Sequence, residues 1–255
     1  MQDADRSPAP PRRGIQAIAR AARVLRALEA EPRGLSLAEL AAATGLPKST
    51  AHRLVAALAD EGFVTTAAGA GEIRLGPGLA RLGAAAHDAL GDELRPVLAA
   101  LRSELDETVD LAVLDGPSVR FVEQLPAAHR LRAVSAVGAR FPLHCTANGK
   151  ALLAALPPER ADELIPSPLP RFTPATITSR RQLQAELARV RDAGVAFDRE
   201  EHTEGVCAAG AAVCVRGEPV AAISVPVPAH RFARHEQRLA AAVRAAAAAA
   251  GARLG

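Results

Sequence analysis

The sequence predicts an α+β protein: an N-terminal winged helix-turn-helix domain, a linker helix, and a larger C-terminal domain of mixed helix and strand. Three observations predict it. A capped helix, a glycine turn and a second amphipathic helix follow one another between Gly34 and Leu58. Two short β-prone runs around a Gly/Ala loop then lead to Gly76. Beyond about residue 92, apolar strand-like runs are interspersed with helical patterns to the end of the chain.

Residues 1–13 read as a disordered, arginine-containing tail. From Ile15, the positions Ile18, Ala21, Leu25 and Leu28 predict a first helix that covers the helix-turn-helix pair and ends at Pro32-Arg33-Gly34. Ser36 followed by Glu39 fits a capping box, in which the serine hydroxyl accepts the Glu39 N–H and the glutamate reaches back to the cap N–H. A helix therefore starts at Leu37, with Leu37, Leu40 and Ala41 on its buried face, and Gly45 supplies its turn. Pro47 is expected in the first turn of the next helix, where a missing N–H costs nothing.

In that second helix Ala51, Leu54, Val55 and Leu58 fall at i, i+3, i+4 and i+7 and point to a core, which leaves Lys48, Ser49, His52 and Arg53 outward. Together with Thr50 this polar, basic set suits a recognition helix: Arg and Lys for guanine edges or phosphates, Ser and Thr for close hydrogen bonds. A solvated amphipathic helix would carry a similar face. What separates the two readings is the downstream hairpin, Phe63-Val64-Thr65-Thr66 and Glu72-Ile73-Arg74-Leu75-Gly76 around a loop containing Gly69 and Gly71. Helix-turn-helix plus hairpin is the winged-helix arrangement, whose recognition helix enters the major groove.

A net charge of +3 is weak evidence for nucleic acid, and placement matters more. Residues 1–27 hold Arg6, Arg12, Arg13, Arg20, Arg23 and Arg26 against Asp3 and Asp5, beside the helix-turn-helix, where phosphate contacts would add affinity without specificity.

Leu79, Leu82, Ala86 and Leu90 form a narrow apolar stripe on a predicted helix over 78–91, a candidate dimer seam or a face packed on its own chain. A helix near 93–105 leads to the strand Val109–Leu114, the turn Asp115-Gly116-Pro117-Ser118 and the strand Val119–Glu123. Helices follow at 146–155, 159–164 and 180–193, strands at 195–199, 208–216 and 219–226, and an alanine-rich helix at 232–250. The domains expected are thus 14–76, a linker over 77–92, and 93–255.

With 255 residues, 49% of them hydrophobic, the chain has the material for buried cores. No run approaches the roughly 18 apolar residues needed to cross a bilayer, and the proline-rich N-terminus lacks the apolar segment of a signal peptide. Cys145, Cys207 and Cys214 are odd in number and widely spaced, which fits a reducing compartment. A cytoplasmic protein is the expectation.

From about Gly14 to Ala249 the chain resembles the IclR family of bacterial transcriptional regulators. The resemblance rests on ordered motifs: GLSLAELA (34–41), GLPKSTAHRL (45–54), EGFV (61–64), RLGP (74–77), PLHCTANGKALLA (142–154) and EEHTEGV (200–206). It implies a winged-helix domain that binds operator DNA, a dimerising linker helix, and a C-terminal effector-binding domain similar to GAF domains, in a homodimer or dimer of dimers. Members sense small metabolites, often carboxylates, and the resemblance implies no cofactor. By position in the family's pocket, the effector would be lined by Ala133, Phe141, Ala147, Asn148, Asp198, Val206, Ala208 and Ser224. Ala147 and Asn148 would hold a carboxylate through backbone N–H groups, while Asp198 and Ser224 would hydrogen-bond the rest. The residues agree, since a loop opening into a helix at 143–150 offers free N–H groups and a positive dipole end.

Ala208 stands where the family commonly has cysteine, with Cys207 one place earlier on the opposite strand face, and Pro226 stands where a second serine is frequent. Both changes remove polar groups and point to a more apolar effector than a very small oxo-acid, such as an aromatic acid.

An enzyme reading would use His144 and Cys145, or the stretch Asp198, Glu200, Glu201, His202, Glu204 as a metal site. Adjacent residues in an extended segment point to opposite faces, so a Cys–His pair needs other spacing. The acidic stretch fits a solvated loop with hydrogen-bonded carboxylates better than a metal centre. A redox switch at Cys207 or Cys214 lacks a neighbouring basic group to lower the thiol pKa. The sequence therefore implies neither catalytic nor metal-binding residues.

Overall fold

The structure, a computed structural model, describes residues 13–31, 33–66, 71–128 and 136–255. The chain forms two compact units, Met1–Ala86 and His87–Gly255. Of the expectations above, the tail over 1–12, Pro32, the wing loop at 67–70 and Ala133 lie outside the described residues.

The first unit is built from α1 (Arg13–Ala30), α2 (Leu37–Thr44), α3 (Lys48–Asp60) and the antiparallel pair β1 (Val64–Thr66) and β2 (Ile73–Leu75). The capping box forms as the residues dictate: the Glu39 N–H donates to Ser36 Oγ at 3.3 Å, and the Ser36 N–H donates to Glu39 Oε2 at 2.8 Å. Gly45 ends α2 in the left-handed conformation, φ 63°, where an L side chain would be strained.

Pro47 departs from expectation. It lies just before α3 rather than inside its first turn, with ψ 138°, and its carbonyl accepts the Thr50 and Ala51 N–H groups at 2.8 and 3.0 Å. The core joins Val24 and Leu28 of α1, Leu40, Leu46, Ala51, Val55, Leu58, Val64 and Ile73. Ile18 does not belong to it and is 73% exposed, because the buried stripe of α1 runs through Val24 and Leu28. Leu35 bridges to Ile73 by two backbone bonds of 3.0 and 2.8 Å, which fastens the segment before α2 to the wing.

The helices expected at 78–91 and 93–105 are one helix, α4 (Pro77–Leu105), running through Gly91 and Pro96. An interior proline costs about 3 kcal/mol. Leu94, Leu98 and Leu101 bury their side chains on that stretch, each contributing about 1.5–3 kcal/mol, so packing outweighs the break.

In the second unit six antiparallel strands lie in the order β5-β4-β3-β8-β7-β6: β3 (Val109–Asp115), β4 (Ser118–Leu125), β5 (Arg140–Pro142), β6 (Ala196–Arg199), β7 (Val206–Val215) and β8 (Glu218–Pro228). The alternation of strand side chains sorts the two faces. Val109, Leu111 and Val113, then Cys207, Ala209, Ala211 and Val213, then Ala221, Ile223, Val225 and Val227 pack with the C-terminal half of α4 and with α8 (Ala229–Leu254). Their alternates face α5 (Ala147–Ala155), α6 (Pro158–Leu164) and α7 (Arg180–Ala193).

Candidate functional site

On α3 the side chains of Lys48, Ser49, His52 and Arg53 are exposed and Thr50 is half-buried, opposite the buried Ala51, Val55 and Leu58. The helix start carries no side-chain cap, so its first N–H groups and positive dipole end face outward beside Lys48. Arg23, expected among the phosphate-directed arginines, instead donates to the Thr44 carbonyl at 3.3 Å and closes the C-terminus of α2.

In the second unit a cavity of about 120 Å³ opens between the helical face of the sheet and the start of α5. Its floor follows from strand register. Asp110, Ser224 and Gly210 are successive cross-strand partners on β3, β8 and β7, and Pro226, Ala208 and Asp198 form a second row on β8, β7 and β6. Cross-strand partners share a face, so both rows look toward α5. The roof is the N-terminus of α5. Thr146 caps it by accepting the Gly149 N–H at 3.2 Å, while its carbonyl accepts the Lys150 N–H; Ala147 and Asn148, the first two helical residues, whose N–H groups have no partner within the helix, line the cavity.

Phe141, Ala147, Asn148, Asp198, Val206, Ala208 and Ser224, named from the sequence, all line this cavity. Asp110, Phe121, Thr146, His202, Thr203 and Pro226 complete the lining. Asp110 had a signal, a charge inside the apolar run Val109–Leu114, and Pro226 was singled out as a departure. His202 was read only as part of an acidic stretch.

That stretch is solvated at Thr203, Glu204 and Gly205 and its carboxylates are hydrogen-bonded as expected, but Asp198 and Glu201 are buried. The Asp198 carboxylate is buried and accepts the Glu201 N–H at 2.7 Å. Burial, helped by the neighbouring Glu201 charge, pushes its pKa up to about 7. Glu201 is buried and forms an ion pair with Lys150, whose side chain is fully buried on α5; Glu186 of α7 stands 3.6 Å from the same ammonium. Glu200 accepts the Gly205 N–H at 2.7 Å. His202 stacks on Phe141 with ring centroids 4.2 Å apart and lies 5.4 Å from Phe172, and burial lowers its pKa. Among the described residues no group of three or more His, Cys, Asp and Glu side chains could hold a metal ion.

Cys145 is fully buried and its thiol is pushed up to about 12, chiefly by burial, which leaves no nucleophilic thiolate. Cys207 is buried on the opposite sheet face from Ala208, its thiol raised to about 11 by burial. Among the described residues no helix is long and apolar enough to cross a membrane.

Comparison with known proteins gives family matches in both units. Residues 17–68 match the IclR helix-turn-helix domain, and residues 84–251 match the C-terminal domain of the bacterial transcriptional regulator IclR. The HTH-type transcriptional regulator Rv1719 of Mycobacterium tuberculosis is 51% identical over 230 residues, 90% of this chain and 89% of that protein. The HTH-type transcriptional regulator TtgV of Pseudomonas putida is 43% identical over 194 residues, covering 76% and 74%. A crystal structure of an IclR homologue from Microbacterium hydrocarbonoxydans complexed with 4-hydroxybenzoate superposes with a TM-score of 0.62 at 26% identity, covering 93% of this chain and 98% of that one. The relatives are DNA-binding regulators rather than enzymes, and this chain belongs to the IclR family of bacterial transcriptional regulators.

Proposed function

We propose that the protein is a regulator that senses a small organic acid, with the acid bound in the cavity beneath α5 and operator DNA held by Lys48, Ser49, Thr50, His52 and Arg53. The observation that carries the effector reading is the cavity itself: a helix N-terminus set over a floor that offers Asp198 and Ser224. The carboxylate takes the N–H groups of Ala147 and Asn148. With about 120 Å³ walled by Phe121, Phe141, Val206, Ala208 and Pro226, the cavity suits the apolar body of a small acid. The homologue that binds 4-hydroxybenzoate supports that size.

The working species is a cytoplasmic homodimer or dimer of dimers, seamed along Leu79, Leu82, Ala86 and Leu90 of α4, with Leu82 56% exposed in the single chain. DNA-binding, linker and effector functions divide near 14–76, 77–92 and 93–255. Effector binding favours one arrangement of the sensor domains, and the linker helices convey it to the spacing of two recognition helices. Two variants test the division of labour. Arg53→Ala weakens operator binding and leaves effector affinity intact; Asp198→Ala lowers effector affinity and leaves operator binding intact. Unchanged operator affinity in Arg53→Ala would refute the assignment of α3.

A further inference from the structure

Three rings stack at one wall of the cavity. Phe141 and His202, both lining residues, lie with ring centroids 4.2 Å apart and planes 19° apart. Phe172 stacks on the same imidazole at 5.4 Å and 29°, yet it stands outside the lining and is 47% exposed. The His202 ring is therefore what separates the cavity from an exposed ring at the surface.

The main chain on either side of His202 is pinned. The Glu201 N–H donates to Asp198 Oδ1 at 2.7 Å, its carbonyl accepts the Thr176 hydroxyl at 2.6 Å, and its carboxylate pairs with Lys150. Downstream, the Val206 N–H donates to the Thr203 carbonyl at 3.2 Å and the Gly205 carbonyl accepts the Ala229 N–H at 2.9 Å. The loop that carries Phe172 is fixed as well: the Phe172 N–H donates to Thr176 Oγ1 at 3.0 Å, Thr173 Oγ1 donates to the Glu200 carbonyl at 2.6 Å, and His144 Nε2 meets the Pro170 carbonyl at 2.9 Å. The half-buried imidazole has no such anchor. Its Nδ1 meets Thr203 Oγ1, on an exposed neighbour, at 2.9 Å, and otherwise stacking holds it. Rotation of the side chain is thus the motion that this frame leaves open.

From the reading of the cavity as the effector site, on which this rests, we propose that the His202 ring is the gate of the cavity and Phe172 its latch. The stack keeps the imidazole over the cavity, and a ligand enters and leaves when the ring turns away. Because Phe172 does not line the cavity, removing its ring frees the gate without taking a contact from the ligand.

The test is thiol labelling of the full-length protein, with no effector present. Ser224→Cys places a thiol on the cavity floor, and Cys214→Ser removes the exposed native thiol. Methyl methanethiosulfonate is the probe, and mass spectrometry follows each site; Cys207, buried on the opposite face of the sheet, reports any wider unfolding. Adding Phe172→Ala raises the labelling rate at position 224 at least about fivefold, roughly the factor that one aromatic pair contributes, while Cys207 stays slow. Phe172→Tyr, which keeps the ring, stays within about twofold of the parent. Phe172→Leu, which fills the space without a ring, behaves like the alanine variant and serves if that variant unfolds. Equal rates at position 224 with and without the ring, or an acceleration that Cys207 shares in both ringless variants, would overturn the gate. No acid enters this assay, so its failure leaves the organic-acid reading standing, and failure of every acid to bind the native protein would leave these rates unchanged.

Discussion

Gly210 lies directly beneath Ala147. A Cβ on Gly210 would stand 2.9 Å from the Ala147 carbonyl carbon and 3.0 Å from its Cβ, closer than packed atoms tolerate. The absence of a side chain on β7 therefore lets the head of α5 descend onto the sheet and form the roof of the cavity. Gly210→Val should push that roof away: forced overpacking costs about 1–3 kcal/mol, and effector affinity should fall at least about tenfold. Thermal melting and calorimetry on the same samples measure both; a variant that binds acids like the native protein would contradict this contact.

Lys150 ties the roof to the wall. Its buried ammonium pairs with Glu201, which precedes the lining residues His202 and Thr203, and faces Glu186, itself bonded to Arg189 at 2.7 Å. Breaking one side of a buried pair costs about 3–5 kcal/mol because a charge is left uncompensated. Lys150→Met should destabilise by that order in denaturant unfolding. Lys150→Met combined with Glu201→Gln should be less destabilised than the two single effects added together.

Asp198 sets a pH dependence whose sign follows from its raised pKa. Between its unfolded value near 4 and its folded value of about 7, the native state binds more protons than the unfolded one, so its contribution to stability falls as pH rises through that window and levels off above it. Melting temperatures from pH 4 to pH 8 should show this slope in the native protein and lose it in Asp198→Asn. A carboxylate effector beside Asp198 is best accommodated when Asp198 holds its proton, so acid affinity should increase as pH falls through 7.

The first unit was almost fully legible because its signals are local. The Ser36–Glu39 box, Gly45 and the i, i+3, i+4, i+7 spacing of Ala51, Leu54, Val55 and Leu58 each act within one or two helical turns. Ile18 failed because helical periodicity fixes a stripe but not which edge of it a neighbour covers. In the second unit the strands of the central hairpins were readable from their apolar runs, whereas β5, three residues at the sheet edge ending in proline, carries no alternation.

The cavity residues came through the family resemblance, while Asp110 and His202 enter it through strand register and ring stacking between segments far apart in sequence. Lys150 shows the same limit. Its burial depends on Glu201, fifty-one residues away, and no pattern around Lys150 announces that partner.

The central claim is that one chain couples a duplex to an acid. The chain lacks Trp and Tyr, so the direct measurement is fluorescence anisotropy of labelled duplexes tiled from the intergenic regions flanking its gene, titrated with the protein alone and with each of a panel of organic acids. Tight, salt-dependent binding to one duplex that a single class of acid shifts, and that Arg53→Ala weakens by about 1–3 kcal/mol, is the predicted result. Selective duplex binding that no acid in the panel alters would contradict it.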